Sequence, residues 1–192
     1  MAELAIIPIE QQIYSENLLP IFCNFDTEHF WNILSGTGVV EEDENTYFAG
    51  NRSVLVTKNN YNIAPDLVFN SGSDEMETEV FRSGNYMLSF YVLIAEAYIS
   101  EKIPFNLKLF KNGAFLTDLS VVISEENGYQ FGKWNRLVQQ ISLNIGDKLN
   151  YQFEVGSDLT SAFTKMDFNI DGMKLDFNDK GMTFPPLYFP VV

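Results

Sequence analysis

The sequence predicts an all-β protein, a single two-sheet antiparallel sandwich, and three observations lead there. Apolar and polar residues alternate with period two through most of the stretch from residue 50 to 177. Phe, Tyr and Trp make up 15% of the 192 residues, and such side chains favour strands. No stretch carries a convincing helical period.

Residues 1–21 hold Pro8 and Pro20 around Ile6, Ile7, Ile9, Ile13 and Leu18-Leu19, which is too apolar for a free tail and predicts an extended arm docked on its own domain or a neighbour. The sandwich proper is expected over residues 22–178. The acidic runs Glu41–Glu44 and Asp74–Glu79 read as solvated loops between strands. Tyr86–Ala95 is apolar on both faces, which marks a central strand. Phe105, Leu107 and Leu109 alternate with Asn106 and Lys108, and Asn112-Gly113 behind them is a tight-turn signal. Leu137, Ile141, Leu143 and Ile145 share one phase with Gln139, and Leu149, Tyr151, Phe153 and Val155 form the next inward face. Met166, Phe168 and Ile170 are even-numbered whereas Met173, Leu175 and Phe177 are odd, so one extra residue at Asp171-Gly172 predicts a β-bulge. Residues 179–192 are an apolar tail whose Pro185, Pro186 and Pro190 forbid a central strand and which is expected to dock.

Charge and residue inventory exclude several functions. Twelve basic against 26 acidic residues give a net charge of −14, which repels phosphate backbones and anionic headgroups, so neither nucleic acid nor a membrane surface is an expected partner. No apolar run approaches the roughly 20 residues of a membrane helix, and Met-Ala-Glu-Leu-Ala lacks the basic start of a signal peptide. Cys23 is the single cysteine and His29 the single histidine, so no internal disulfide forms and neither a Cys/His zinc centre nor a triad independent of His29 can be assembled. Glycoside hydrolysis needs a carboxylate pair across a cleft, and nothing singles one out among acids that fall in loops and on outward strand faces. A non-enzymatic protein is expected.

Five segments in order carry a resemblance: Asn24-Phe25-Asp26-Thr27-Glu28 before Trp31, Gly50 through Val56, Gly84 through Tyr91, Trp134-Asn135-Arg136, and Phe168 through Leu175. Over roughly residues 22 to 177 this arrangement resembles the jelly-roll carbohydrate-binding modules attached to bacterial polysaccharide-degrading enzymes. The resemblance implies a jelly-roll fold, and a structural calcium where the first and last strands meet, at positions matching Glu28 and Asp171, with backbone carbonyls completing the six to eight oxygens that calcium takes. It also implies that Trp31 and Trp134 stand where such modules more often pack than touch ligand.

Sugar recognition needs aromatic faces for the C–H side of the ring and planar polar groups for its hydroxyls. Tyr129, Phe131 and Trp134 fall in or beside the loop 128–134, and Tyr47 in the loop before Gly50. If residues 136–145 and 148–155 form a hairpin, Gln140 faces Gln152 and Ser142 faces Asn150 on the outward surface, either as a hydroxyl-binding face or as plain soluble sheet. Jelly rolls often send consecutive strands to opposite sheets, which breaks that pairing. The candidate ligand residues are therefore Tyr47, Tyr129, Trp134, Gln140, Asn150 and Gln152. The arms and the absence of an export signal lead to an expected place in a virion, assembled in a host cytoplasm, as a capsid or tail decoration, fibre or adhesin subunit that attaches to host surface glycans. Its expected partners are other virion subunits, docked through the arms, and further copies of itself. The alternatives are a purely structural subunit and a glycan-binding or glycoside hydrolase accessory module.

Overall fold

A core of interlocking phenylalanines joins two antiparallel sheets. The computed structural model describes residues 31–71 and 78–178. Its strands are β1 (Trp31–Ser35), β2 (Gly38–Asp43), β3 (Ser53–Asn59), β4 (Leu67–Ser71), β5 (Thr78–Glu79), β6 (Gly84–Ile94), β7 (Ile103–Lys111), β8 (Ala114–Ile123), β9 (Trp134–Leu143), β10 (Lys148–Val155) and β11 (Lys165–Phe177). Sheet I runs β1-β4-β10-β7-β8, with β5 also paired to β10, and sheet II runs β2-β3-β11-β6-β9. The helical turns among the described residues are short 3-10 pieces such as Glu96–Tyr98 and Glu125–Asn127.

Alternation decides what the sheets bury. Leu149, Tyr151, Phe153 and Val155 of β10 are all buried, as are Phe105, Leu107 and Leu109 of β7. Phe153 is the hub: its ring lies 5.3 Å from Phe69, 5.8 Å from Phe90, 6.0 Å from Phe105 and 5.6 Å from Tyr151. Phe90 comes from sheet II and the other three from sheet I, so this ring contacts both layers. Burying one such side chain contributes about 2–3 kcal/mol, and truncating Phe153 to Ala would cost about 3–5 kcal/mol once the cavity is included.

The local signals are met where they depend on backbone chemistry. Asn112 and Gly113 take φ of 50° and 77° and join β7 to β8 with Lys111 opposite Ala114, the two-residue turn expected of Asn-Gly. β6 lies between β11 and β9, as a strand apolar on both faces requires. The β11–β6 register shifts between Asp171 and Lys174, with Gly172 at φ +60°, so the bulge stands where the phase of the sequence changes.

Two expectations are corrected. The strands 134–143 and 148–155 are not a hairpin, because β9 pairs with β6 in sheet II while β10 sits between β4 and β7 in sheet I. Both strands bury one face in the same core, so an inward pattern is satisfied by either sheet. The turn between them crosses the sandwich, closed by Asp147, whose carboxylate accepts the Asn144 N–H at 2.8 Å. Ile145, in phase with the inward residues of β9, lies in this turn and is 68% exposed. The second correction concerns the acidic runs: Glu41, Glu42 and Asp43 belong to β2, and Glu79 with the buried Thr78 to β5, rather than to loops, while residues 74–77 lie outside the described residues. β2 borders its sheet, where charge is tolerated, and Glu42 meets Arg52 at 2.8 Å while Asp43 accepts the Asn169 amide at 2.9 Å. Both arms, Cys23, Glu28 and His29 lie outside the described residues.

Candidate functional site

The six sequence-predicted ligand residues divide between the two faces of the sandwich. Asn150 and Gln152 project from β10 on the outer face of sheet I, while Trp134 and Gln140 lie on β9 in sheet II and Tyr47 stands in the loop 44–52. Tyr129, in the connection before β9, is half-buried against the core, and that burial pushes its hydroxyl pKa up.

Strand register builds the sheet I face row by row. Asn32 is opposite Asn70, Gln152 is opposite Lys108 and Lys108 is opposite Asp118, and the pairing of Phe153 with Phe69 sets Gln152 beside Asn70. One polar row, Asn32-Asn70-Gln152-Lys108-Asp118, thus crosses five strands and spans about 19 Å at ordinary strand spacing. On one side of it lies the row of Asn150, Phe110 and Phe115, whose two rings meet edge-on at 6.2 Å. On the other lie Glu154, Asn106 and Ser120, with the Glu154 carboxylate paired to the Lys108 ammonium. A shallow depression of about 210 Å³ opens here, lined by Asn70, Phe110, Gly113, Asn150, Tyr151 and Gln152.

The hydrogen-bonding state of these amides gives the face its chemistry. The side-chain carbonyls of Asn70 and Asn106 are buried without a hydrogen-bond partner. An unpaired buried acceptor costs about 1–3 kcal/mol, a penalty recovered when the amide rotates to bring its carbonyl out to a ligand donor. Asn150 turns its carbonyl to the Tyr151 N–H at 2.7 Å. Its NH₂ group is the end left to donate outward. Acceptors, amide donors and the Phe110 ring together suit a flat, polyhydroxylated ring. Sequence reasoning missed Asn70, Asn106 and Phe110. The available signal was Phe110 itself, an apolar residue in the outward phase of an otherwise polar strand face.

The sheet II residues do something different. Phe48 stacks on Tyr91 at 3.7 Å with ring planes 17° apart, Trp134 meets Phe48 edge-on at 6.0 Å, and the Arg136 guanidinium sits 5.6 Å over the Tyr91 ring. Trp134 is thereby held in a packing cluster that pins the loop 44–52, with Tyr47 46% exposed on that loop. Gln140 is opposite Met87, and its backbone carbonyl accepts the Gln139 amide at 3.2 Å.

Asp171 is wholly buried at the bulge, and its carboxylate accepts three backbone N–H groups, from Phe48 at 2.7 Å, Ala49 at 3.0 Å and Gly172 at 2.6 Å. Amide hydrogens supply to this anion what a cation otherwise would. Among the described residues no group of three or more Asp, Glu, His or Cys side chains is arranged to hold a metal ion. Asp171 thus clamps the loop 44–52 onto the bulge, and Glu28, the other residue of the expected calcium pair, lies outside the described residues.

No family model and no curated protein sequence matches the chain. Among solved structures, it is similar to the enzymatically active domain of tailspike protein 4 from bacteriophage CBA120, at 10% identity and a TM-score of 0.54, covering 81% of this chain and 20% of that one. It is also similar to the CBM22-1 xylan-binding domain of Paenibacillus barcinonensis Xyn10C, at 15% identity and a TM-score of 0.49 over 85% of this chain and 95% of that one. A third is the carbohydrate binding module CBM6cm-2 of Cellvibrio mixtus lichenase 5A, solved with cellotriose, at 10% identity and a TM-score of 0.47 over 78% and 92%. The tailspike likeness, across four-fifths of this chain, is one of fold, the two-sheet β-sandwich described above.

Proposed function

We propose that the chain is a non-enzymatic, carbohydrate-binding-module-like domain of a virion structural protein, and that it holds host surface glycans on the outer face of sheet I. The observation that carries the reading is the row Asn32-Asn70-Gln152-Lys108-Asp118, with unpaired carbonyls at Asn70 and Asn106 and the Phe110 ring beside it. Such a face offers acceptors and donors at fixed spacing on a rigid sheet, which hydroxyl recognition requires. The virion setting rests on the apolar, proline-rich residues 1–21 and 179–192, which suit docking on neighbouring subunits.

A glycan array followed by calorimetry on the best ligand tests this. Binding that weakens on Gln152→Ala and Asn70→Ala supports the face as the site. No binding to any bacterial surface glycan at about millimolar concentration, the weak end of useful affinities, would overturn the reading and leave a purely structural subunit.

A further inference from the structure

The outer edge of sheet I, where the polar row ends at Asp118, supplies an inference about a partner. Among the described residues five strands border the sheets, the two-residue β5 included. Each carries some feature that blunts pairing, in β8 a register shift against β7 and an occupied Val122 carbonyl. β1 has five residues and a register shift, β2 ends in Glu41-Glu42-Asp43, and the mid-strand Gln140 carbonyl of β9 is already taken by the Gln139 amide. β8 is ten residues long, Ala-Phe-Leu-Thr-Asp-Leu-Ser-Val-Val-Ile, with Asp118 its single charge. Among the described residues it pairs only with β7.

The polar groups on its open edge can be identified. Val122 is opposite Pro104, which has no N–H, so this is a non-hydrogen-bonded pair and the backbone groups of Val122 point away from β7. The Asn127 side chain donates to the Val122 carbonyl at 2.7 Å, as that direction demands. By alternation the N–H and C=O of Ser120 and Asp118 also point outward. An identical strand can pair with this edge antiparallel about a twofold axis in few ways. Placing Asp118 opposite itself opposes like charges, and placing Ser120 opposite itself brings Asp118 against Val122, whose carbonyl Asn127 occupies. The intermediate register opposes no like charges and keeps Val122 out of the central pairs, leaving it opposite Leu116. It sets Asp118 opposite Ser120, Leu119 opposite Leu119 and Thr117 opposite Val121, matching acceptor with hydroxyl and apolar with apolar.

We propose that β8 pairs with β8 of a second copy of this chain in that register, joining the two copies of sheet I into one continuous sheet. Each pair of Asp118 with the partner's Ser120 exchanges two backbone hydrogen bonds, so the symmetric contact makes four. Asp118 and Ser120 are both exposed, so substitutions there leave the fold intact.

Sedimentation velocity of the full chain from micromolar to near-millimolar concentration tests the proposal, with melting temperature measured alongside. A reversible dimer is expected. Ser120→Asp puts two like-charged pairs at the contact and is expected to weaken it about tenfold, whereas Ser120→Lys creates two opposite-charged pairs and preserves it, with melting of both variants unchanged. A chain that stays monomeric at every concentration overturns the proposal. So does an oligomer that Ser120→Asp and Ser120→Lys affect equally.

Discussion

The carboxylate of Asp171 accepts the backbone N–H of Phe48 at 2.7 Å, joining residues 123 positions apart. Through this contact and the one to Ala49, the bulge in β11 fixes the loop between β2 and β3, and Phe48 is thereby seated on Tyr91. Hydrogen bonds to a charged group are worth about 1.5–3 kcal/mol each, but loop amides released from a lost acceptor find water, so Asp171→Ala is expected to cost about 2–4 kcal/mol in urea unfolding. Asp171→Asn keeps one acceptor oxygen and should cost about half as much. Melting with calcium and with a chelator tests the expected metal site: a calcium-dependent rise that Asp171→Ala abolishes places Asp171 in a ligand set, and no change leaves it a loop clamp alone.

Gly172 is bound to this arrangement by conformation and by space. Its φ of +60° penalises any residue with a Cβ, and a Cβ there would lie 3.1 Å from Tyr91 Cδ2 and 3.4 Å from Phe48 Cδ1. Gly172→Ala is expected to lose about 1–3 kcal/mol, the left-handed conformation alone accounting for about 1–2 kcal/mol of it. The near-ultraviolet circular dichroism of the Phe48–Tyr91 stack should change with it. Unchanged stability together with an unchanged aromatic signal would mean that the bulge relaxes freely.

The bulge, the Asn-Gly turn and the inward faces of β7, β10 and β11 were legible because each is written in neighbouring residues. A phase change, a turn dipeptide and an alternation are local. Sheet membership was not, since an inward phase does not say which sheet carries it where two strands share one core: Ile141 of β9 and Tyr151 of β10 are buried alike, yet hang from opposite sheets. That single ambiguity scattered the site. Gln140 and Gln152 are assigned to one face if their strands form a hairpin, and to opposite outer faces once the chain crosses over. Asn70 was invisible for a related reason: its place beside Gln152 depends on a pairing between strands some 80 residues apart, as Phe153 with Phe69 shows.

Acid should loosen the β2 end of the same loop. Burial acts to raise the Asp43 pKa, but the Asn45 backbone N–H, the Asn169 amide and further hydrogen bonds outweigh it and leave the carboxyl below its ordinary value. A carboxyl depressed in the folded state stabilises above its unfolded pKa of about 4, and that contribution is lost as pH falls through the folded value. Stability is thus expected to hold above pH of about 5 and to decline below about 4. Asp43→Asn cannot take up that proton and should show a shallower decline between about pH 4 and 2, followed by urea midpoints across that range. Equal slopes for the two proteins would assign the acid sensitivity to other carboxylates such as Asp158, held low by the Thr160 hydroxyl and N–H.

The two outer faces make opposite predictions for ligand and stability. On sheet I, Gln152 and Asn70 face the depression, so Gln152→Ala and Asn70→Ala are expected to weaken glycan binding by about 0.5–1.5 kcal/mol each while melting changes little. Phe110→Ala should cost binding about 1 kcal/mol through the lost ring contact. On sheet II, Trp134 braces Phe48, so Trp134→Ala should lower stability by about 2–3 kcal/mol and leave the affinity of the folded fraction intact. Gln140→Ala and Tyr47→Ala should alter neither quantity measurably. The comparison is decided by pairing calorimetric affinity with melting temperature for each variant. If affinity falls with Trp134 and Tyr47 but not with Gln152 and Asn70, the ligand lies on sheet II, and the unpaired carbonyls of Asn70 and Asn106 need another explanation.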